Sequence, residues 1–137
     1  MPPLLPFAFV ISLLAAPFAP ATAQTAGIGV ELNKLSPVDG GCRAFFVVRN
    51  DGDTAFDSLD LDLVTFRPDG VVGSRFQVEL APLAADKTVV KPFDFADVAC
   101  EDIDRLLVNG VVACAPPEPA TCLGLIEPTS LAAELFK

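Results

Sequence analysis

From residue 27 onward, the chain is a series of short strand-like runs separated by turn sequences. The run 58–66 alternates most regularly, reading Leu-Asp-Leu-Asp-Leu over residues 59–63, so its leucines share one face of a strand. Residues 28–35 alternate in the same way, and residues 42–49 are rich in the aromatic and β-branched side chains that strands favour. Glycine, proline, asparagine and aspartate in the intervening segments indicate turns, as at Asn50–Asp53 and Arg67–Gly70.

Three further runs complete the pattern. Residues 71–80 predict one strand or a pair, and residues 87–95 predict a strand that Pro92 marks as an edge or a bulge. The last strong apolar run is 103–113, in which Asn109-Gly110 is suited to a tight turn. Six or seven strands at a spacing of roughly ten residues, without a helical period, favour an all-β antiparallel sandwich over a βαβ fold.

The first 23 residues have the pattern of a secretory signal peptide. They contain no charged side chain, and their apolar run from Leu4 to about Phe18 is shorter than the roughly 20 residues that span a bilayer. The segment ends in Ala21-Thr22-Ala23, a small-x-small sequence that predicts cleavage before Gln24. An uncleaved N-terminal anchor is the alternative. After cleavage we expect no membrane span.

The C-terminal part has a different composition from the strands. Proline-rich residues 116–119 separate the β domain, residues 24–115, from a link and tail that together cover residues 116–137. Residues 130–137 predict two helical turns, with Thr129 or Ser130 as the N-cap. The predicted organisation is therefore a signal peptide, one β domain and a short tail.

The charge of the chain narrows the classes of partner. All 18 acidic and 9 basic residues follow Gln24, which places the formal charge of −9 on the domain itself. Nucleic acids and anionic membranes require a basic surface, so we expect neither as a partner. The acidity itself agrees with a small exported protein that stays in solution.

Four cysteines follow the predicted cleavage point, at Cys42, Cys100, Cys114 and Cys122. An even number in an exported domain predicts two disulfides, for which three connectivities are possible. Zinc is the competing explanation, but it requires closely paired ligands with histidine or further cysteine. The chain has no histidine and no C-x-x-C pair.

Four short sequences follow one another between residues 47 and 83: VVRNDG (Val47–Gly52), LDLDLV (Leu59–Val64), PDGVVG (Pro68–Gly73) and LAPL (Leu80–Leu83). Their order resembles the FxLYD/CARDB-type immunoglobulin-like domains of uncharacterised exported bacterial proteins. Cysteines flanking the LLVNGV strand (Leu106–Val111) add to the likeness, which covers about residues 27–114. Phe66-Arg67-Pro68-Asp69 replaces the usual aromatic-aspartate pairing. The resemblance implies an immunoglobulin-like antiparallel β-sandwich of six to seven strands and an exported, non-catalytic module without an active site.

The same resemblance implies a disulfide pairing. In such a sandwich Cys42 opens the second strand, and Cys100 lies in the connection before the last strand or the one before it. Both positions lie at one end of the sandwich, which implies a Cys42–Cys100 bridge, with Cys114–Cys122 holding the tail. Pairing of Cys42 with Cys114 is the second choice.

The side chains that catalysis needs are missing from the sequence. A serine or cysteine nucleophile normally requires a base, most often histidine, and the chain has none. Asp60 and Asp62 share a strand face, but glycosidases place such a pair beside aromatic sugar-binding residues, and the chain has no tryptophan or tyrosine. We interpret the two aspartates as the solvated face of a strand. We expect no enzymatic activity and no cofactor.

Among the kinds of site that could carry a specific chemistry, a calcium site is the one that the sequence supports best. Asp51, Asp53 and Asp57, together with Asn50, bring several oxygen ligands into one loop, and calcium binds six to eight oxygens. The loop departs from the EF-hand pattern, and an ordinary turn between strands also explains its composition.

A candidate protein interface follows from the strand faces. If the leucines of residues 58–66 face the core, then Phe45, Val47, Val64 and Phe66 form an apolar patch on the outer face, and such patches usually mark interfaces. Alternatively, the apolar residues of the tail cover this patch. These residues are Leu123, Leu125, Ile126, Leu131, Leu135 and Phe136.

Together these features predict a periplasmic or secreted, non-catalytic binding or accessory module that acts through a protein partner. The alternative is a calcium-stabilised structural domain of the cell envelope.

Overall fold

The computed structural model describes residues 1–3, 17–20, 26–116 and 119–137. The signal peptide was predicted over residues 1–23, and most of it, together with the cleavage site before Gln24, lies outside the described residues. The β domain and nearly all of the tail lie within them.

Within that range the chain forms an all-β sandwich of two four-stranded sheets, which confirms the predicted fold class. A 3₁₀ turn covers Cys100–Asp102, and one α-helix, α1, covers Pro119–Leu125. The strands are β1 (Ile28–Val38), β2 (Gly41–Asn50), β3 (Ser58–Phe66), β4 (Val72–Glu79), β5 (Lys87–Ala96), β6 (Arg105–Ala115), β7 (Ile126–Ser130) and β8 (Glu134–Phe136).

The strand order places the first six strands as in an immunoglobulin-like sandwich. Sheet 1 has the order β5-β2-β1-β7, and sheet 2 has the order β4-β3-β6-β8. Strands β1, β2 and β5 thus take the A, B and E positions, and β3, β4 and β6 take C, C′ and F. All pairs among these six strands are antiparallel.

The tail departs from the prediction, because it forms strands that belong to the sandwich. β7 pairs with β1 in parallel, and β8 pairs with β6 in parallel, so the described residues form eight strands in two mixed sheets. The two helical turns predicted for residues 130–137 are wrong. Within these residues Leu135 is buried in the core and β8 pairs with β6, and this burial and pairing outweigh a weak local helix preference. The helix forms earlier, at α1.

The core lies between the sheets, on the faces that the alternation predicted. Leu59, Leu61 and Leu63 of β3 are fully buried, and they face buried residues of β2, including Phe46. Each such side chain contributes on the order of 2 kcal/mol of transfer free energy to folding.

Two disulfides connect the sheets and the tail. Cys42 at the start of β2 is bonded to Cys100 in the 3₁₀ turn that precedes β6, with 5.0 Å between the Cα atoms. This bridge joins sheet 1 to the approach to sheet 2. Cys114 near the end of β6 is bonded to Cys122 of α1, with 6.5 Å between the Cα atoms. The pairing is the one that the resemblance implied.

Of two predictions about local strand features, one is confirmed and the other is wrong. β5 is an edge strand, as Pro92 predicted. Asn109-Gly110 does not reverse the chain, because β6 continues through it. The pairing of β6 with β3 shifts register at this point, and Asn109 is the extra residue. Val108 before this point and Cys114 further along β6 are both buried in the core. A reversal of the chain between them would take one of the two out of the core.

Candidate functional site

The structure separates the four residues that were predicted to form one apolar patch. Phe45 and Val47 lie on β2 in sheet 1, whereas Val64 and Phe66 lie on β3 in sheet 2. All four are half-buried and face away from the core. Because the outer faces of the two sheets lie on opposite sides of the sandwich, the single patch does not exist. The sequence placed both pairs outward correctly but could not assign them to different sheets.

The tail covers part of the predicted patch on sheet 2. The ring of Phe136 in β8 packs against Phe66, with 6.1 Å between the ring centroids. The guanidinium carbon of Arg105 lies 5.0 Å from the centroid of Phe66 and 5.5 Å from that of Phe136. Phe66 is thus partly covered by the chain's own C-terminal strand, as the alternative interpretation expected.

On sheet 1 the predicted patch residues are joined by two residues of β5 that were not predicted to belong to it. Phe45 lies opposite Pro92, and Val47 lies opposite Val90, in the antiparallel pairing of β2 with β5. Val90 is 59% exposed and Pro92 is also exposed. These four neighbouring side chains are hereafter called the β2–β5 patch. The alternation of residues 87–95 around Pro92 was the signal that placed Val90 and Pro92 on one face.

Charged pairs surround the β2–β5 patch. Arg43 donates two hydrogen bonds to Asp94, from Nε at 2.6 Å and from an Nη atom at 2.9 Å. At the other end, Arg49 donates from Nε to Asp51 at 2.9 Å. The Arg43 guanidinium holds the pKa of Asp94 below its ordinary value. An apolar centre with a polar, charge-balanced rim is typical of a protein-binding surface.

The surface beside Phe45 is shallow. Arg43, Phe45, Pro92, Phe93 and Asp94 line an open depression of about 620 Å³. Lys34 places its ammonium nitrogen 5.8 Å from the centroid of the Phe45 ring, where a cation interacts with the π face. A wide and open surface of this kind suits a protein better than it suits an enclosed small molecule.

The outer face of sheet 2 has a polar centre instead. Asp62 is only 6% exposed and accepts hydrogen bonds of 2.6 Å at each carboxylate oxygen from Arg75. Asn109 donates a third, of 2.6 Å, to Oδ2. Hydrogen bonding from Arg75 is the main reason why the pKa of Asp62 is lowered. The interpretation of Asp60 and Asp62 as solvated holds for Asp60, whose side chain accepts from Gln77 in an exposed contact, but is wrong for Asp62.

The residues proposed for calcium serve the turn between β2 and β3. Asn50 is buried, donates from Nδ2 to Thr54 O at 2.7 Å and Ala84 O at 3.0 Å, and accepts from Gly52 N at 3.0 Å. Asp51 is paired with Arg49. Among the described residues no three acidic, histidine or cysteine side chains are close enough to hold a metal ion, so Asp51, Asp53 and Asp57 are not brought together as a calcium site.

A second concave surface lies beside α1. Leu107, Ala120 and Leu123 contribute apolar atoms to a cavity of about 420 Å³ that also touches Lys137. The Lys137 ammonium donates to Leu123 O at 3.2 Å and to Ile126 O at 2.5 Å, which holds the C-terminal residue against α1. These contacts form part of the cover over sheet 2.

Comparison with protein-family models, with curated proteins and with solved structures found no match for this chain. Over the described residues, no helix has the length and apolar character that crossing a membrane requires. The fold and the surfaces described above are therefore the basis for any functional assignment.

Proposed function

We propose that this protein is a periplasmic or secreted, non-catalytic binding module that holds a protein partner through the β2–β5 patch. The observation that carries the proposal is the difference between the two outer faces. On sheet 1 four apolar side chains lie together without cover from the tail, and Val90 at their edge is 59% exposed. On sheet 2 the ring of Phe136 in β8 covers Phe66.

The two disulfides support a location outside the cytoplasm. Bridges such as Cys42–Cys100 form and persist in oxidising compartments. The predicted signal peptide leads to the same compartment. A small module there gains rigidity from its bridges, which reduces the entropy lost when it binds a partner.

The test is a substitution at Val90, because its exposure lets it change without unfolding the domain. Val90→Asp places a charge within the patch and should weaken partner binding by at least about 30-fold, or 2 kcal/mol. Val112→Asp is the matched control, since Val112 on β6 is 50% exposed and lies outside the patch.

The three proteins would be immobilised, exposed to the exported fraction of the source cells, and compared for retained proteins. A protein that binds the original chain and the Val112 variant, but not the Val90 variant, supports the proposal. Equal retention by all three, with unchanged melting temperatures, would show that the patch does not bind the partner.

A further inference from the structure

β4 is the sheet edge that is least protected against pairing with another strand. Among the described residues the other edge strands are β5, β7 and β8. β5 contains Pro92, β7 contains Pro128, and β8 has three residues. β4 has eight residues and no proline. The part of β1 beyond β7 is also unpaired but contains Pro37, and α1 packs beside β6 where β6 extends beyond β8. Because proline, short length and a packed helix block edge-to-edge pairing, β4 is the edge best suited to accept an added strand.

Hydrogen bonds to β3 show which backbone groups of β4 face outward. Leu80 donates its N–H to Leu59 O at 2.8 Å, and the N–H of Ser74 donates to the Thr65 hydroxyl at 2.8 Å. Since backbone groups alternate in direction along a strand, the even-numbered residues of β4 face β3. The residues of its regular part that direct both N–H and C=O away from the sheet are Arg75, Gln77 and Glu79.

The charges on this edge are complementary under a two-fold rotation. Arg75 and Glu79 lie on the same face and are equally spaced from Gln77. Arg75 uses two N–H groups on Asp62, its side chain is 70% exposed, and its remaining donors are available to a second carboxylate. Glu79 is exposed and has no hydrogen bond or ion pair with any described residue.

We propose that two copies of this chain pair through β4 in antiparallel orientation, about a two-fold axis at Gln77, so that Arg75 of each copy lies opposite Glu79 of the other. In this register Gln77 of one copy lies opposite Gln77 of the other, and each outward-facing pair of residues exchanges two backbone hydrogen bonds. A register centred on Arg75 would instead place two guanidinium groups opposite each other, which is unfavourable. The charges therefore select one alignment.

Aromatic side chains at the same edge add apolar surface to the association. Phe76 of β4 and Phe93 of β5 are half-buried and pack edge to face, with 6.1 Å between centroids, at the side of the sandwich where both sheets end. A second copy beside β4 would cover this side. The dimer extends sheet 2 and leaves the β2–β5 patch on the other sheet free, so the inference is independent of the proposed function.

The first measurement is the mass of the exported protein in solution by sedimentation equilibrium. We expect a reversible dimer at concentrations up to about 100 μM, a range that includes weak specific interfaces. Glu79→Lys should raise the dimer dissociation constant by about tenfold to a hundredfold, because Arg75 would then face a lysine. In the single chain Glu79 lies opposite Asp60 of β3, so a lysine at this position should not lower the melting temperature. A protein that stays monomeric over the whole range would overturn the proposal.

Two further variants separate this interface from other routes to a dimer. Gln77→Pro removes an outward N–H and should abolish pairing at β4 in any register, whereas Val90→Asp alters only the β2–β5 patch and should leave the dimer intact. Dimerisation that survives Gln77→Pro but is lost with Val90→Asp would contradict the proposal and make the patch a self-association surface. Dimerisation that Gln77→Pro abolishes and Glu79→Lys leaves unchanged would contradict the proposed register.

Cross-linking tests the axis directly. In a hydrogen-bonded antiparallel pair the Cα atoms are about 5.5 Å apart, which lies within the range that a disulfide spans. Gln77→Cys should therefore oxidise to a covalent dimer, whereas Val112→Cys, at an equally exposed position far from the axis, should not. Equal cross-linking of both variants would count against a two-fold axis at Gln77.

Discussion

The outer faces of the two sheets differ in how far the rest of the chain covers their apolar side chains. Sheet 1 leaves Phe45 and Val47 next to exposed Val90. Sheet 2 also has an outward-facing aromatic side chain, Phe66, but Phe136 packs on it. Nearby, Asp62 is paired with Arg75. The difference shows that an apolar side chain on an outer face is a binding candidate only when the rest of the chain does not cover it.

The covered face depends on the tail, and the tail depends on a disulfide. The Cys114–Cys122 bridge holds α1 against β6, and the chain continues from α1 into β7 and β8. The open face has no comparable cover on β5, where Val90 and Asp94 are exposed. We therefore expect changes to β8 to expose the outer face of sheet 2 and to leave the β2–β5 patch as it is.

The largest effect should come from the bridge that joins the sheets. Replacing Cys42 and Cys100 by serine should lower the free energy of unfolding by about 4 kcal/mol, because that bridge closes a loop of 58 residues. Replacing Cys114 and Cys122, which are 8 residues apart, should cost only about 2.5 kcal/mol. Urea denaturation of both variants measures the difference, and equal losses would show that loop length does not control these bridges.

Removing the ring that covers Phe66 should make the two faces more alike. Phe136→Ala should destabilise the domain by about 2 kcal/mol, through loss of apolar burial and of the contact between the rings. It should also increase the binding of an apolar fluorescent dye to the folded protein, because Phe66 becomes accessible. Leu131→Ala is a control, since Leu131 is 73% exposed and should change neither property. Unchanged dye binding by the Phe136 variant would mean that Phe66 is covered in another way.

The polar centre of sheet 2 should make stability depend on acid. The pKa of Asp62 is lowered in the folded protein by Arg75, so its contribution is present above the unfolded-state pKa and is lost as the pH falls through the lower folded value. Asp62→Asn should cost about 1 kcal/mol at neutral pH and flatten the decline of stability below about pH 4. Melting curves from pH 7 to pH 2 check this, with Asp60→Asn as the exposed control. An unaltered acid profile would exclude Asp62 as its source.

The smallest effect is expected from calcium. Asn50 uses its side chain on backbone groups, and Asp51 is paired with Arg49. Millimolar calcium or chelator should therefore leave the melting temperature unchanged, whereas a ligand bound to the folded state would raise it by mass action. A clear rise with calcium that Asp53→Asn removes would restore the metal-site interpretation.

The local sequence pattern was sufficient to predict the strands and their buried faces, but not which strands share a sheet. The alternation of Leu59, Leu61 and Leu63 predicted the buried face of β3, because the side chains of a strand alternate strictly. It could not predict that Phe45 and Phe66 lie on different sheets, since nothing within a strand encodes which sheet it joins. Asp62 was misjudged for a related reason. Its burial requires Arg75 from β4 and Asn109 from a bulge in β6.

The tail shows most clearly where sequence patterns stop being informative. Residues 130–137 have a modest local preference for helix, which is worth a few tenths of a kcal/mol per residue. Burial of Ile126 and Leu135 at the open edges of the sheets is worth more, and it depends on β1 and β6, which lie far away in the sequence. The class of fold and the outward direction of Phe45 follow from local patterns of neighbouring residues, and the even number of cysteines was sufficient to predict two disulfides. Parallel pairing of the tail, and with it the choice of which face stays open, follows only from contacts between distant segments.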